Sequence, residues 1–197
     1  MSRVILARHG ESVFSAVGLL NGDPTVPGGL TAQGVAEAEA LAIEIASEPI
    51  ALCIHTEFER VSQTAALALA GRDVPTLIEP LLNDPRYGKY ERADLDGYRD
   101  WAASAGSGTR AEGGGESRQE IVERYADGYR AVLARPESTI LVVAHSLPIA
   151  YALAARDGTP PQPRVPLAAY ATAYRFERRE LERVVDTLDA WLSDPDW

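Results

Sequence analysis

Two short apolar runs that each end in a histidine constrain this chain more than any other feature. Val4 to Ala7 leads into Arg8 and His9, and Thr139 to Ala144 leads into His145. Short, continuously apolar segments of this kind are strands buried on both faces, as in parallel sheets. Open parallel sheets bind their ligands at the carboxyl ends of the strands. Two of the chain's 3 histidines therefore fall at the binding edge of one sheet, with Arg8 beside them. A guanidinium clamps oxyanions in bidentate fashion, and an imidazole can attack phosphorus, so this constellation suits a phosphoryl group.

The segments between the two runs alternate helix and strand. Thr31 is placed to cap a helix of about 16 residues, with Val35, Ala38, Leu41, Ala42 and Ile45 as its apolar face. A strand is predicted over 50–54, a helix over 59–70 stopped by Gly71, a strand over 76–78 and a short helix over 95–104. Ser117 and Glu120 form a capping box for an amphipathic helix over 117–134, and a last helix is expected over 147–156. Such alternation predicts an α/β fold with a mainly parallel sheet and helices on both faces. With 197 residues, 46% of them hydrophobic, no internal repeat and no composition break, a single domain over 1–197 is expected.

The formal net charge of −10 speaks against nucleic acid or an anionic membrane surface as partner, since both require basic patches. Cys53 stands alone in the strand-like PIALCIH, so it reads as a small core residue, with no metal-ligand spacing around it. There is no basic N-terminal region followed by an apolar stretch and no run long enough to span a bilayer, so a cytoplasmic location is expected. The glycines at 113–115 precede a cap and helix without a strand before them, and so read as a connection rather than a nucleotide-binding fingerprint.

The motifs, taken together, resemble the histidine phosphatase superfamily, the phosphoglycerate-mutase-like proteins. LARHGES at 6–12 resembles the signature around that family's phosphorylated histidine, and GGLTAQG at 28–34 its following turn. FERVSQTA at 58–65 is similar to the segment with its second arginine, and NDPRYG at 83–88 to the segment with its acid. GGES at 114–117 and VVAHS at 142–146 complete the order. The resemblance implies a three-layer α/β/α fold and a phosphomonoester hydrolase acting through a phosphohistidine on a small phosphorylated metabolite, with no metal or cofactor. It implies His9 as nucleophile, Arg8 and Arg60 as phosphate clamps and His145 as a stabiliser of the transferring group. Asp84 is the implied general acid, where much of the family has glutamate; Glu79 and Glu91 are its rivals. Gly10, Asn21, Gly22 and Ser146 are expected to contact substrate, Ser15 less directly, and Ser146 stands where the family usually has glycine. His55 is expected outside the catalytic set.

Two alternatives remain open: a phosphoglycerate mutase, or a catalytically weak phosphate-binding relative. A monomer or homodimer is expected. At the C-terminus the spacing of Leu181, Val184, Val185, Leu188, Trp191 and Leu192 is helical, but the strand-like 168–176 and the family resemblance imply a hairpin with 182–187 as its second strand. The hairpin is the expectation.

Overall fold

The computed structural model of the protein describes residues 3–195 and 197. Its frame is a five-stranded sheet of order β3-β2-β4-β1-β5, formed by β1 (Arg3–Arg8), β2 (Leu52–His55), β3 (Thr76–Ile78), β4 (Thr139–Ala144) and β5 (Ala173–Glu177). β1, β2, β3 and β4 run parallel, and β5 is antiparallel to β1. Side chains alternate across each strand. Ile5, Ala7, Cys53, Leu141 and Val143 therefore face α1 (Ala32–Glu44) and α2 (Glu59–Ala68). Val4, Leu6, Leu52, Ile54, Ile140 and Val142 face α4 (Arg118–Leu133), α5 (Ser146–Arg156) and α6 (Arg178–Ser193). The layering is α/β/α, as expected.

Local signals account for most of the boundaries. Thr31 accepts a hydrogen bond from the Gly34 amide and caps α1, which is shorter than its apolar stripe suggested. The Ser117–Glu120 capping box starts α4. Beyond α2 the chain turns at Gly71, whose φ of +77° suits a residue without Cβ. A third helix, α3 (Leu95–Ser104), lies outside the sheet layers and packs with Leu20 and Tyr87 in a small separate cluster.

The C-terminal hairpin is not formed. Residues 178–193 are helical, and Leu181, Val184, Val185, Leu188 and Trp191 are buried against the sheet. Glu177 accepts from the first turn while the Glu180 carboxylate accepts from the Glu177 amide, so the helix is capped at once after β5. A period of 3.6 puts all five apolar side chains on one face. A strand over 182–187 would have divided them between two faces, leaving some in water.

Candidate active site

β1 and β4 are neighbours, and their register sets Arg8 opposite Ala144. The next residue of each strand is a histidine, and the His9 amide still donates to the Ala144 carbonyl, 3.0 Å away. The two imidazoles therefore emerge side by side at the carboxyl edge, edge to face with 5.4 Å between ring centroids. β2 lies on the other side of β4 and delivers Thr56 just past its end, 2.9 Å from His145 Nε2.

The hydrogen bonds define the His9 tautomer. His9 Nδ1 lies 2.7 Å from the Gly10 carbonyl, which can only accept, so Nδ1 carries the proton. Nε2 keeps its lone pair, and it accepts from Arg60 Nε at 3.2 Å. His145 Nδ1 lies 3.3 Å from Arg60 Nη2 and 3.5 Å from Asp84 Oδ2, and its Nε2 lies 2.9 Å from the Thr56 hydroxyl, which can donate or accept. Burial holds both histidines well below their ordinary titration range; Arg60 and Arg8 depress His9 further, and Arg60, His9 and Arg8 depress His145.

Arg60 reaches both rings because α2 starts one residue before it, just beyond the end of β2. Its guanidinium packs over the Phe58 ring, and its Nη2 also bonds the Asn21 carbonyl and Asp84 Oδ2, each at 3.1 Å. Arg8 is held differently. Its Nη1 donates to the Ala168 carbonyl at 2.8 Å, and its guanidinium carbon lies 3.7 Å from the centre of the Tyr170 ring. Ser146 Oγ, on the first turn of α5, accepts from the Ala168 amide and so fixes the segment that holds Arg8. The Nε of Arg8 is buried with no partner. Burial raises the Asp84 carboxyl above its ordinary range, an effect opposed by Arg60 and Arg8.

Arg8, His9, Asn21, Arg60, Asp84, Ser146 and Tyr170 line one cavity. His145 is fully buried and does not line it; it reaches the cavity's chemistry through Arg60. The rival acids serve elsewhere. Glu79 caps the Leu81 amide, and Glu91 accepts from the Gly22 and Tyr87 amides.

Two of the expected contact residues do not reach the cavity. The Gly10 amide donates to Thr64 Oγ1, and a Cβ on Gly10 would stand 2.3 Å from the Gly34 carbonyl oxygen of α1. A Cβ on Gly22 would stand 2.0 Å from the Pro85 carbonyl oxygen. Both glycines permit close backbone packing beside the site. His55 bonds the Thr56 carbonyl through Nδ1 and stays outside the cluster, and Ser15 lines the cavity while bonding Ser12. Burial pushes the Cys53 thiol up to about 12, as befits a core residue.

Thr56, Tyr170 and Arg118, which also lines the cavity, were not singled out as site residues in the sequence. Thr56 was findable, since it follows the end of a parallel strand, as His9 and His145 do. Tyr170 and Arg118 carry no local signal.

A family model described as histidine phosphatase superfamily (branch 1) matches residues 4–189. The chain is 32% identical to the adenosylcobalamin/alpha-ribazole phosphatase of Salmonella typhimurium over 132 residues, covering 62% of this chain and 64% of that one. It thus spans under two thirds of that relative's length. It is 29% identical to the probable phosphoglycerate mutase GpmB of Proteus mirabilis over 203 residues, 98% of this chain and 89% of the relative. The solved alpha-ribazole phosphatase of Shigella flexneri superposes with a TM-score of 0.73 at 25% identity, covering 89% of this chain and 90% of that one. No described helix is long and apolar enough to cross a membrane.

Proposed function

This chain belongs to the histidine phosphatase superfamily, branch 1, and from that premise we propose that it hydrolyses a small phosphomonoester through a phosphohistidine formed on His9. The observation that carries this reading is the His9 tautomer: Nδ1 is tied to the Gly10 carbonyl, and the Nε2 lone pair points at the Arg60 guanidinium in the cavity. The incoming phosphoryl oxygens take over the N–H groups that Arg60 directs at the imidazoles, together with the free Nε of Arg8. His9 Nε2 attacks phosphorus, Asp84 gives its proton to the leaving oxygen, and His145 supports the charge of the transferring group. Water, deprotonated by the Asp84 carboxylate, then cleaves the phosphohistidine and restores the acid. The depressed His9 supports this order, because only a neutral imidazole attacks. The raised Asp84 supports it, because an acid must hold a proton to give. The 197 residues act as one catalytic domain, without metal or cofactor.

The curated phosphatase relative favours water over a second substrate as acceptor. The mutase reading has its own support in the near full-length match to GpmB. Rapid quench with a labelled phosphomonoester is expected to trap acid-labile phosphate on His9, and His9→Ala to lose both label and turnover. Retained turnover in His9→Ala would exclude the mechanism. Transfer of label to a phosphoglycerate faster than release of inorganic phosphate would assign the mutase instead.

A further inference from the structure

Besides Arg8 and Arg60, the cavity holds a further buried cationic group that the chemistry above does not use. Arg118 lines it and is 6% exposed, and its Nε and Nη1 are buried without a hydrogen-bond partner. Tyr98 lines the same cavity, its hydroxyl equally without a partner, and its ring centre lies 5.3 Å from the Arg118 guanidinium carbon. A buried guanidinium ordinarily has a carboxylate. Two glutamates flank Arg118 in sequence, and neither pairs with it. Glu116 is committed to Arg124 at 2.8 Å, and Glu120 to the Ser117 amide and Arg110. Among the described residues no ion pair to Arg118 is formed. Its position is costly as well. Arg118 is the first residue of α4, where the helix dipole disfavours a cation. Tyr151 offers its hydroxyl to the guanidinium, but no carboxylate does. A charge kept buried without a counterion and at the wrong helix end, with two free donors in a binding cavity, is arranged for an anion that arrives from outside.

We propose that Arg118 and Tyr98 form a second anion subsite. The substrate is then a phosphomonoester that carries a further oxyanion, carboxylate or phosphate, away from the scissile group. This rests on the phosphomonoesterase reading of the His9 site. Arg118 and Tyr98 line the same cavity as Arg8, His9 and Arg60, so one ligand can meet both groups of donors. The free Nε and Nη1 leave the guanidinium on different sides and donate singly, and the Tyr98 hydroxyl adds a third donor.

Matched substrate pairs test the assignment. One pair is 3-phosphoglycerate and glycerol 3-phosphate, which differ by carboxylate against hydroxymethyl. The other is propanediol bisphosphate and its monophosphate. Wild type is expected to favour the doubly charged member of at least one pair by about tenfold in kcat/KM, the scale of a charge-assisted hydrogen bond. The favoured pair identifies the oxyanion. Arg118→Gln is expected to erase the preference, chiefly through KM, and Tyr98→Phe to reduce it about threefold. Equal rates within both pairs, or equal losses on both members in Arg118→Gln, would overturn the subsite. Calorimetric binding of the same compounds reads the preference without turnover. Binding preference with no hydrolysis would therefore sink the phosphatase reading and leave the subsite standing.

Discussion

Among single residues, Asp84 bears the sharpest test. It is one methylene shorter than the glutamate common in the resembling family, yet it stands 3.1 Å from Arg60 and lines the cavity. Asp84→Asn keeps the shape and removes the proton. Because general acids contribute roughly two to four orders of magnitude, alkyl phosphates should slow by about that factor. Nitrophenyl phosphate, whose leaving group departs unaided, should slow far less. The pH dependence follows from the two opposed shifts. His9, depressed, stays neutral and nucleophilic well into acid; Asp84, raised, holds its proton to higher pH than an ordinary aspartate. Activity on alkyl phosphates should hold on the acid side and fall with rising pH as Asp84 ionises, and that fall should vanish in Asp84→Asn. Equal slowing of both substrate classes would make Asp84 a structural residue. At this scale the sequence was legible where chemistry coincides with a strand end or a tight motif: His9, Asp84 and His145 all meet the Arg60 guanidinium, and Arg8 lines the same cavity. Tyr170 and Arg118 were illegible because contacts across the fold, and not their neighbours in the chain, bring them to the cavity.

Among elements, the seam between α1 and the end of β1 couples packing to catalysis. Gly10 and Gly34 meet there, and a Cβ on Gly34 would stand 2.0 Å from the Glu11 carbonyl oxygen. The Gly10 carbonyl fixes the His9 tautomer, so a shift of this backbone moves the nucleophile. Gly34→Ala, favourable for an isolated helix by up to ~1 kcal/mol, is expected instead to lower the melting temperature and to cut kcat more than ten-fold, roughly the sensitivity of a misplaced reacting group. Gly71→Ala, at a positive φ with open space around it, should cost stability alone, through backbone strain. Equal activities in the two variants would uncouple the seam from the site. The helices and strands were largely readable because caps and periodicity are local signals. At the C-terminal helix the stripe from Leu181 to Trp191 is a local signal, and it prevails over the hairpin that the family resemblance implies. Gly10 and Gly22 stand outside the cavity lining for a related reason. A glycine marks close approach, and only the fold tells whether a ligand or another backbone approaches.

For the whole molecule, the site sets a pattern in stability. The chain is acidic overall, yet Arg8 and Arg60 are buried, and among the described residues the one carboxylate bonded to either is Asp84, on Arg60, beside two histidines that burial keeps neutral. Such a site is preorganised for an anion at the expense of the unliganded fold. For His9 and His145 the folded state binds fewer protons than the unfolded chain below the unperturbed value near 6.5. Their contribution is complete above that pH and is lost as pH falls, by up to ~1.4 kcal/mol per pH unit for each imidazole. Asp84 has the opposite sign, since its raised carboxyl takes up a proton earlier in the fold, but it is one group against two. Urea unfolding should therefore show stability declining from pH 7 toward pH 5. Inorganic phosphate should reverse part of the decline, because a bound anion offsets the arginine charge and favours protonated imidazole. At a hundred times its dissociation constant, phosphate should add ~2.7 kcal/mol, which for a chain of this size raises the melting temperature by roughly 5–10 °C. The shift should be larger at pH 5.5 than at pH 7.5, and it should shrink in Arg60→Gln. A phosphate effect independent of pH, or one that survives loss of Arg60, would mean that the anion binds elsewhere and that the buried cluster is structural.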